Sequence, residues 1–393
     1  MHLEKIILTN FKNYASQTVD LSQKLNCFVG LNGMGKTNLL DAVYYMCMTK
    51  SYFLNLDSDV ILRGSDFLRL EGHFVKKNRQ EKIVAKVQLR KKKIVERNDV
   101  VYDALSDHIG FLPVVMFAPD DTLLAKEGSE ERRRFIDLCL SQIDNQYLTH
   151  LIFYNKILEQ RNAYLKSLEK TGSNKQNTVE ELNPDAFGKG GKQNFDVKLI
   201  EVYDTQITPS AHYIFEKRSE FVRNFSPVFN DIYGKISGEK EVVSIVYESP
   251  LLSDDMKNIL SKNREKDRIL QRTSSGIHRD DLTFTMSDKS LKKFGSQGQL
   301  KSFVLSLKLA QHEILRGPLS DENQDLPILL LDDIFDKLDE TRIENLLQLI
   351  VNQSFGQIFI SDTNAGRVQE VVKKLNADYK IFIVENGSIN ASM

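Results

Sequence analysis

Cys27-Phe28-Val29-Gly30-Leu31-Asn32-Gly33-Met34-Gly35-Lys36-Thr37-Asn38 is the stretch that decides the fold. An apolar strand end comes first, glycines follow, and Asn38-Leu39-Leu40-Asp41-Ala42-Val43-Tyr44-Tyr45-Met46 reads on as a helix. Glycines between a strand and a helix are the context of a phosphate-binding loop. Gly30, Gly33 and Gly35 let the backbone turn its N–H groups inward, and the helix N-terminus adds its positive dipole end. In that setting Lys36 reaches the β- and γ-phosphates of a nucleoside triphosphate and the Thr37 hydroxyl is placed to hold Mg²⁺. Asn32 and Asn38 belong to the same loop and count with its ligand-binding residues. A glycine-rich turn that merely precedes a helix is the plain alternative, and spacing, Lys-Thr and flanking elements all stand against it.

Far along the chain, Pro327 is followed by Ile328-Leu329-Leu330-Leu331-Asp332-Asp333. Such an apolar run suits a strand buried on both faces of a parallel sheet. Two carboxylates at its C-terminal end lie on the edge where open α/β sheets bind ligands. Asp332 would hold Mg²⁺, directly or through water, and Asp333 would orient or deprotonate the attacking water. Aspartate is also common after strands as a cap or turn residue.

A third segment, Ser296-Gln297-Gly298-Gln299, opens a helix whose apolar positions Leu300, Phe303, Val304, Leu307, Leu309 and Ala310 recur at helical spacing. Ser296 and the N–H groups around Gly298 present a second helix N-terminus to an anion. One γ-phosphate already has a loop in its own subunit, so a second anion-binding end fits a partner related by a two-fold axis. Ordinary helix capping by Ser296 remains open beside it.

The order of these segments, with Asp336-Lys337-Leu338-Asp339 after the acidic strand end, resembles the ABC-type ATPases of chromosome maintenance and DNA repair. Phe11-Lys12-Asn13-Tyr14, Asn32 to Asn38, Arg132-Arg133-Arg134-Phe135-Ile136-Asp137, His278-Arg279-Asp280-Asp281-Leu282, Ser296 to Gln299 and Leu331-Asp332-Asp333 are similar to the RecF family of bacterial recombination mediators. The likeness spans nearly the full length. It implies an α/β ATPase head: a mixed sheet flanked by helices plus an antiparallel β subdomain, with an inserted helical lid or arm. It implies ATP and Mg²⁺, with Lys36 and Thr37 on triphosphate and metal, Asp332 on the metal and Asp333 on the water. Ser296 and Gly298, with Gln299 in the same signature, would meet the γ-phosphate across a dimer, and Leu338-Asp339 would contact the partner. The implied partners are a second copy joined by ATP, double-stranded DNA at gaps or junctions, and the RecO and RecR proteins, which with this family load RecA on gapped DNA. The implied place is the cytoplasm, at the nucleoid.

Departures from transporter-type relatives matter too. After Val114-Val115-Met116-Phe117 those proteins carry Gln where this chain has Ala118-Pro119-Asp120-Asp121, and after Gln357-Ile358-Phe359-Ile360 they carry His where it has Ser361-Asp362-Thr363. Slow hydrolysis is the expectation. Gly276-Ile277 replaces the family's Gly-Pro before His278, which predicts a less constrained loop. A transporter ATPase subunit and another repair or defence ATPase of the superfamily are the rival readings. A small-molecule kinase would not need the Ser296 helix.

Two or three lobes are expected for 393 residues; the P-loop and the acidic strand must sit side by side for Mg²⁺ chemistry, so an N-terminal part at 1–118 and a C-terminal part at 273–393 form one ATPase lobe, with a helical insert at 119–272 between them. Phe135 to Leu165 reads as one apolar stripe, 171–194 as a loop, and Phe195 past Phe221 as a returning helix. The formal charge of −1 gives no global push toward DNA, so a nucleic-acid surface has to be local. Between Lys76 and Arg97 ten basic residues face only Glu81 and Glu96, which reads as a solvated sheet face or a phosphate-contact patch. Arg132, Arg133 and Arg134 are a second phosphate-binding candidate. Cys27, Cys47 and Cys139 show no paired or metal-ligand spacing, as expected of a reducing compartment. No secretion signal is read at the start, and no apolar stretch approaches about 18 residues, so no membrane partner is expected.

Overall fold

Every residue of the strands Leu25–Val29, Val114–Phe117, Ile328–Asp332 and Ile358–Asp362 is buried, as a parallel sheet covered on both faces demands. The computed structural model describes residues 1–173, 191–239, 241–317, 325–335, 339–352, 355–375 and 378–392. In it these four strands join Tyr379–Glu385 and Ser388–Ser392 in one six-stranded sheet. Its order is Ser388–Ser392, Tyr379–Glu385, Leu25–Val29, Ile358–Asp362, Ile328–Asp332, Val114–Phe117, and only the Ser388–Ser392 edge runs antiparallel to its neighbour. The P-loop strand and the acidic strand, expected side by side, have Ile358–Asp362 between them.

Strand periodicity divides the sheet's side chains between two cores. Cys27, Leu329, Leu331 and Ile360 pack with the signature helix Gln297–Arg316 and the inserted helices. Phe28, Ile328, Leu330 and Phe359 pack with the P-loop helix Lys36–Met48 and a second sheet. That second sheet is antiparallel throughout, in the order Tyr14–Asp20, His2–Phe11, Phe67–Lys76, Arg79–Gln88, Ile94–Arg97, Val100–Val101. Within it Ile83, Ala85 and Val87 face the core. Mixed sheet, antiparallel sheet and helical insert are the parts that the resemblance implies.

The insert is built on Ser129–Ile143, Asn145–Ser173, Gly191–Ser237 and Met256–Leu270. Asp144, extended at φ −131° and ψ 104°, breaks the single stripe expected from Phe135 to Leu165 into two helices. Helix continues to Ser173 and resumes at Gly191, shortening the loop expected at 171–194 from both ends; the rest of that loop lies outside the described residues. A strand unforeseen in the helical region, Val243–Glu248, pairs antiparallel with Asp281–Met286 across position 272. Arm residues Tyr154, Ile207, Phe225 and Phe229 share one core with Phe303 and Leu331.

Two fully buried arginines lock the arm's base. Arg161 bonds Asp204, Asp267 and Thr273, each at 2.8 Å. Arg218 bonds Asp137 at 2.8 Å, Asp280 at 2.7 Å and the Ile277 carbonyl at 2.8 Å. Asp280 also accepts from the Tyr247 hydroxyl at 2.6 Å, and the Tyr154 hydroxyl lies 2.7 Å from Nδ1 of His278. Burial pushes His278 down to about 4, which keeps it neutral, so Nδ1 accepts from Tyr154 while Nε2 donates to the Thr273 carbonyl. The loop that lacks the family's proline is therefore tightly held, by side chains rather than by a ring. Gly276 enters it at φ 133°, where a Cβ would stand 2.8 Å from Met256 Cε. Arg132 is spent on Asp281 and Arg133 on the Asp280 carbonyl, so these two pin the same loop and are not available as the phosphate contacts expected of them.

Removing one partner of a buried ion pair strands the other charge. Arg218→Leu is expected to lower unfolding free energy by ~3–5 kcal/mol in urea titration, and an unshifted midpoint would contradict the role given to this side chain.

Candidate functional site

A cleft of about 180 Å³ opens at the C-terminal edge of the parallel sheet, lined by Asn32, Gly33, Gly35, Lys36, Thr37, Asn38, Pro119, Asp332, Asp333 and Ser361. Six of the P-loop residues singled out in the sequence thus meet both carboxylates of the acidic strand. The loop's shape is imposed from outside. A Cβ on Gly30 would lie 2.3 Å from the carbonyl of Val384, so the neighbouring strand admits only glycine there. Gly35 sits at φ 120°, with Asn13 and Tyr14 too close for a side chain. Asn13 donates to the Met34 carbonyl, Tyr14 to the Gly35 carbonyl, and Asn38 to Asn13. Phe11-Lys12-Asn13-Tyr14, noted only as a shared word, is the brace of the P-loop. No side chain caps the P-loop helix, whose first residues Lys36 and Thr37 line the cleft.

Lys36 Nζ donates to the carbonyls of Gly30 at 2.7 Å and Leu31 at 2.9 Å. Burial lowers its pKa, against the pull of Asp332, Asp333 and Asp362. A phosphate would offer that ammonium a charged partner in place of two carbonyls.

Thr37 Oγ1 lies 2.8 Å and 3.0 Å from the two carboxylate oxygens of Asp332. Ser361 Oγ donates to Asp332 Oδ1 at 2.5 Å and accepts from the Asp333 N–H at 3.1 Å. Burial raises the pKa of Asp332, with the Ser361 and Thr37 hydrogen bonds opposing. A desolvated carboxylate facing a hydroxyl is a donor pair suited to a hard cation. Among the described residues no three His, Cys, Asp or Glu side chains form a metal cluster, so further oxygens would have to come from phosphate or water. Ser361 was recognised in the sequence only as a missing histidine; its hydroxyl joins the two aspartates. Pro119, within the segment Ala118-Pro119-Asp120-Asp121 that stands in place of the Gln, lines the cleft with no side-chain polar atom.

The signature residues Ser296, Gly298 and Gln299 line none of this cleft. Ser296 is exposed and caps its own helix in a reciprocal box with Gln299, whose amide also donates to Glu241 at 2.8 Å. Capping and an outward-facing helix end are both present. Of the loop Leu338-Asp339, Leu338 lies outside the described residues; Asp339 is exposed and pairs with Arg342.

The basic run resolves into two parts. Lys76, Lys82, Lys86, Lys93 and Arg97 are paired with Asp325, Asp99, Glu96, Asp57 and Glu81. Lys77 and Arg79 lie at one end of the strand Arg79–Gln88, Arg90, Lys91 and Lys92 beyond the other, and none of the five has an ion-pair partner among the described residues. The patch is two small cationic tips, not one face.

The family described as RecF/RecN/SMC N terminal domain matches residues 2–390. The DNA replication and repair protein RecF of Flavobacterium johnsoniae is 44% identical over 382 residues, 97% of this chain and 99% of the relative. That of Phocaeicola vulgatus is 40% identical over 390 residues, 99% and 98% of the two chains. Among solved structures, the recombination mediator protein RecF-ATP of the RecFOR pathway has a TM-score of 0.82 and 25% identity, covering 100% of this chain and 98% of that one. An Smc head domain with an extended coiled coil from Pyrococcus furiosus has a TM-score of 0.55 at 17% identity, covering 100% and 96%, a likeness of fold alone.

Lys36→Ala should lower nucleotide affinity at least about tenfold, since charge-assisted hydrogen bonds contribute ~1.5–3 kcal/mol each. Calorimetric titration on a variant with parental circular dichroism tests this, and parental affinity would refute the site.

Proposed function

The chain belongs to the RecF family of DNA replication and repair proteins, within the RecF/RecN/SMC ATPases, and from that premise we propose that it is an ATP-gated dimer that binds double-stranded DNA and hydrolyses ATP slowly. ATP, the nucleotide named with the similar RecF structure, would lie in the cleft with Lys36 released from Gly30 and Leu31 onto its β- and γ-phosphates. Mg²⁺ held by Thr37 and Asp332 would neutralise charge between those phosphates. Asp333 orients the attacking water.

The observation that carries the reading is the exposed helix end at Ser296, outside the cleft of its own subunit. In a two-fold dimer, Ser296 and Gly298 of one copy complete the γ-phosphate site of the other, and Gln299 keeps the helix end in shape. Hydrolysis removes the shared phosphate and with it the link. Slow turnover is supported by what lines the cleft from the two segments without Gln and His: Pro119 has no side-chain donor, and the Ser361 hydroxyl is committed to Asp332. The cationic tips at Lys77 and Arg79 and at Arg90 to Lys92 are the proposed DNA contacts, brought into joint register when two heads close. Gapped or junction DNA, RecO and RecR as partners in loading RecA, and a place at the cytoplasmic nucleoid complete the reading. No helix among the described residues is long and apolar enough to cross a membrane.

Ser296→Arg is expected to retain ATP binding and lose ATP-induced dimers and DNA binding. Sedimentation and DNA titration with ATP, with ADP and without nucleotide read both, and ATP dimers formed by the variant would sink the composite site. Because burial raises the Asp332 pKa, a proton competes with Mg²⁺ at higher pH than for an ordinary carboxylate. In the cation-free protein the same shift makes stability fall as pH rises through that pKa, a loss the cation offsets. Mg²⁺-dependent ATP affinity should therefore decline on acidification before the ordinary carboxylate range near 4 is reached, and a flat profile down to that range would contradict the assignment.

A further inference from the structure

The peptide of Asp333 is gripped at both ends. Its N–H is shared between the Ser361 carbonyl at 3.2 Å and the Ser361 hydroxyl at 3.1 Å. Its carbonyl accepts from Lys301 Nζ at 3.0 Å. Between these grips Asp333 adopts φ +48°, the left-handed region that a residue with a side chain enters at a cost. Lys301 belongs to the signature helix, little more than one turn past Ser296, and is 5% exposed with its ammonium near the Phe117 ring. Burying an ammonium is expensive, and an apolar side chain would fill the same slot at less cost. The Lys301 hydrogen bond reaches the backbone from which the Asp333 carboxylate leaves the strand end.

We propose that Lys301 is a positioning residue for ATP hydrolysis, holding the Asp333 backbone so that its carboxylate meets the attacking water. In that step the water oxygen bonds to the γ-phosphorus, the bond from that phosphorus to the β–γ bridging oxygen breaks, the water proton passes to Asp333 and on to solvent, and ADP and phosphate result. The inference rests on the reading of Asp333 given above. It adds that the helix presenting Ser296 to a partner also fixes the water-side carboxylate of its own subunit.

Steady-state ATPase, ATP-induced dimerisation and thermal unfolding are measured on the full chain for the parent, Lys301→Met and Asp333→Asn. Lys301→Met, which keeps the stem and loses the charge, should lower kcat about ten- to a hundredfold, the scale of a small misplacement of a reacting group, with KM and ATP dimers as in the parent. A kcat within about twofold of the parent overturns the proposal. So does a loss of kcat, ATP affinity and dimers together, which is the signature of a packing role. If Lys301→Met does not fold, Lys301→Leu carries the same expectation and the same two refutations. Asp333→Asn separates the failures: full activity in that variant removes the reading of Asp333, whereas an inactive Asp333→Asn beside a normal Lys301→Met removes only the inference about Lys301.

Discussion

The Thr37 hydroxyl meets the carboxylate of Asp332 at 2.8 Å across a strand that belongs to neither. Leu25–Val29 delivers the P-loop, Ile328–Asp332 the carboxylates, and Ile358–Asp362 runs between them in parallel register, Leu331 against Ile360 and Cys27 on its other side. Because all three strands end on the same edge, the first turn of the P-loop helix passes over the end of the middle strand. Ser361 stands at that end and bonds to Asp332 and Asp333 from below. Parallel pairing is thus the condition of the chemistry: were any of the three strands reversed, its functional residue would face the opposite edge of the molecule.

Strand order is also where sequence reading reached its limit. The P-loop, the acidic strand and the signature helix were legible because each combines a residue pattern with a local backbone need, as glycine at Gly35 does with φ 120°. Their adjacency was legible only as a chemical requirement, and the sequence placed the two strands side by side where the sheet interposes a third. Val243–Glu248 escaped notice because a short strand between a long helix and Pro250 carries too few alternations to register against helical surroundings. Ser361 escaped because its importance lies in what it touches. Nothing in Ile360-Ser361-Asp362 announces a hydroxyl aimed at a residue in another strand. The ten-cation run misled in the opposite way, since two of the five acids that neutralise half of it, Asp57 and Asp325, come from other parts of the chain.

Arm and head are joined by buried charge as well as apolar packing. Arg218 reaches from the long helix Gly191–Ser237 to Asp137 in one arm helix and to Asp280 in the loop before Asp281–Met286, while Arg132 crosses to Asp281. That loop leads into the strand preceding the signature helix, and Phe229 and Tyr233 of the long helix pack on Phe303 of the signature helix itself. The arm's base is thus packed directly on the helix whose end carries Ser296. A buried ion pair holds geometry more than it adds stability, because desolvation cancels much of its attraction. At this junction geometry is what the proposed dimer requires.

In the proposed dimer the nucleotide joins two subunits and is best left unhydrolysed for as long as the joint is needed, a demand that the residues around Asp332 fit. A histidine at the place of Ser361 could carry charge to the γ-phosphate or move a proton near neutral pH; a serine hydroxyl does neither, and this one is already bonded to Asp332. Pro119 lines the same cleft and offers no side-chain hydrogen bond toward a water. In the proposed mechanism what remains to organise hydrolysis is Asp333, on a short side chain and a backbone held in the left-handed region by contacts from two other elements. In the proposed dimer the binding determinants are many, with Lys36, Thr37 and Asp332 from one chain and Ser296 and Gly298 from a second copy, whereas the hydrolytic determinants are few. That imbalance suits a phosphate used first as a bond between two proteins and only afterwards as a substrate.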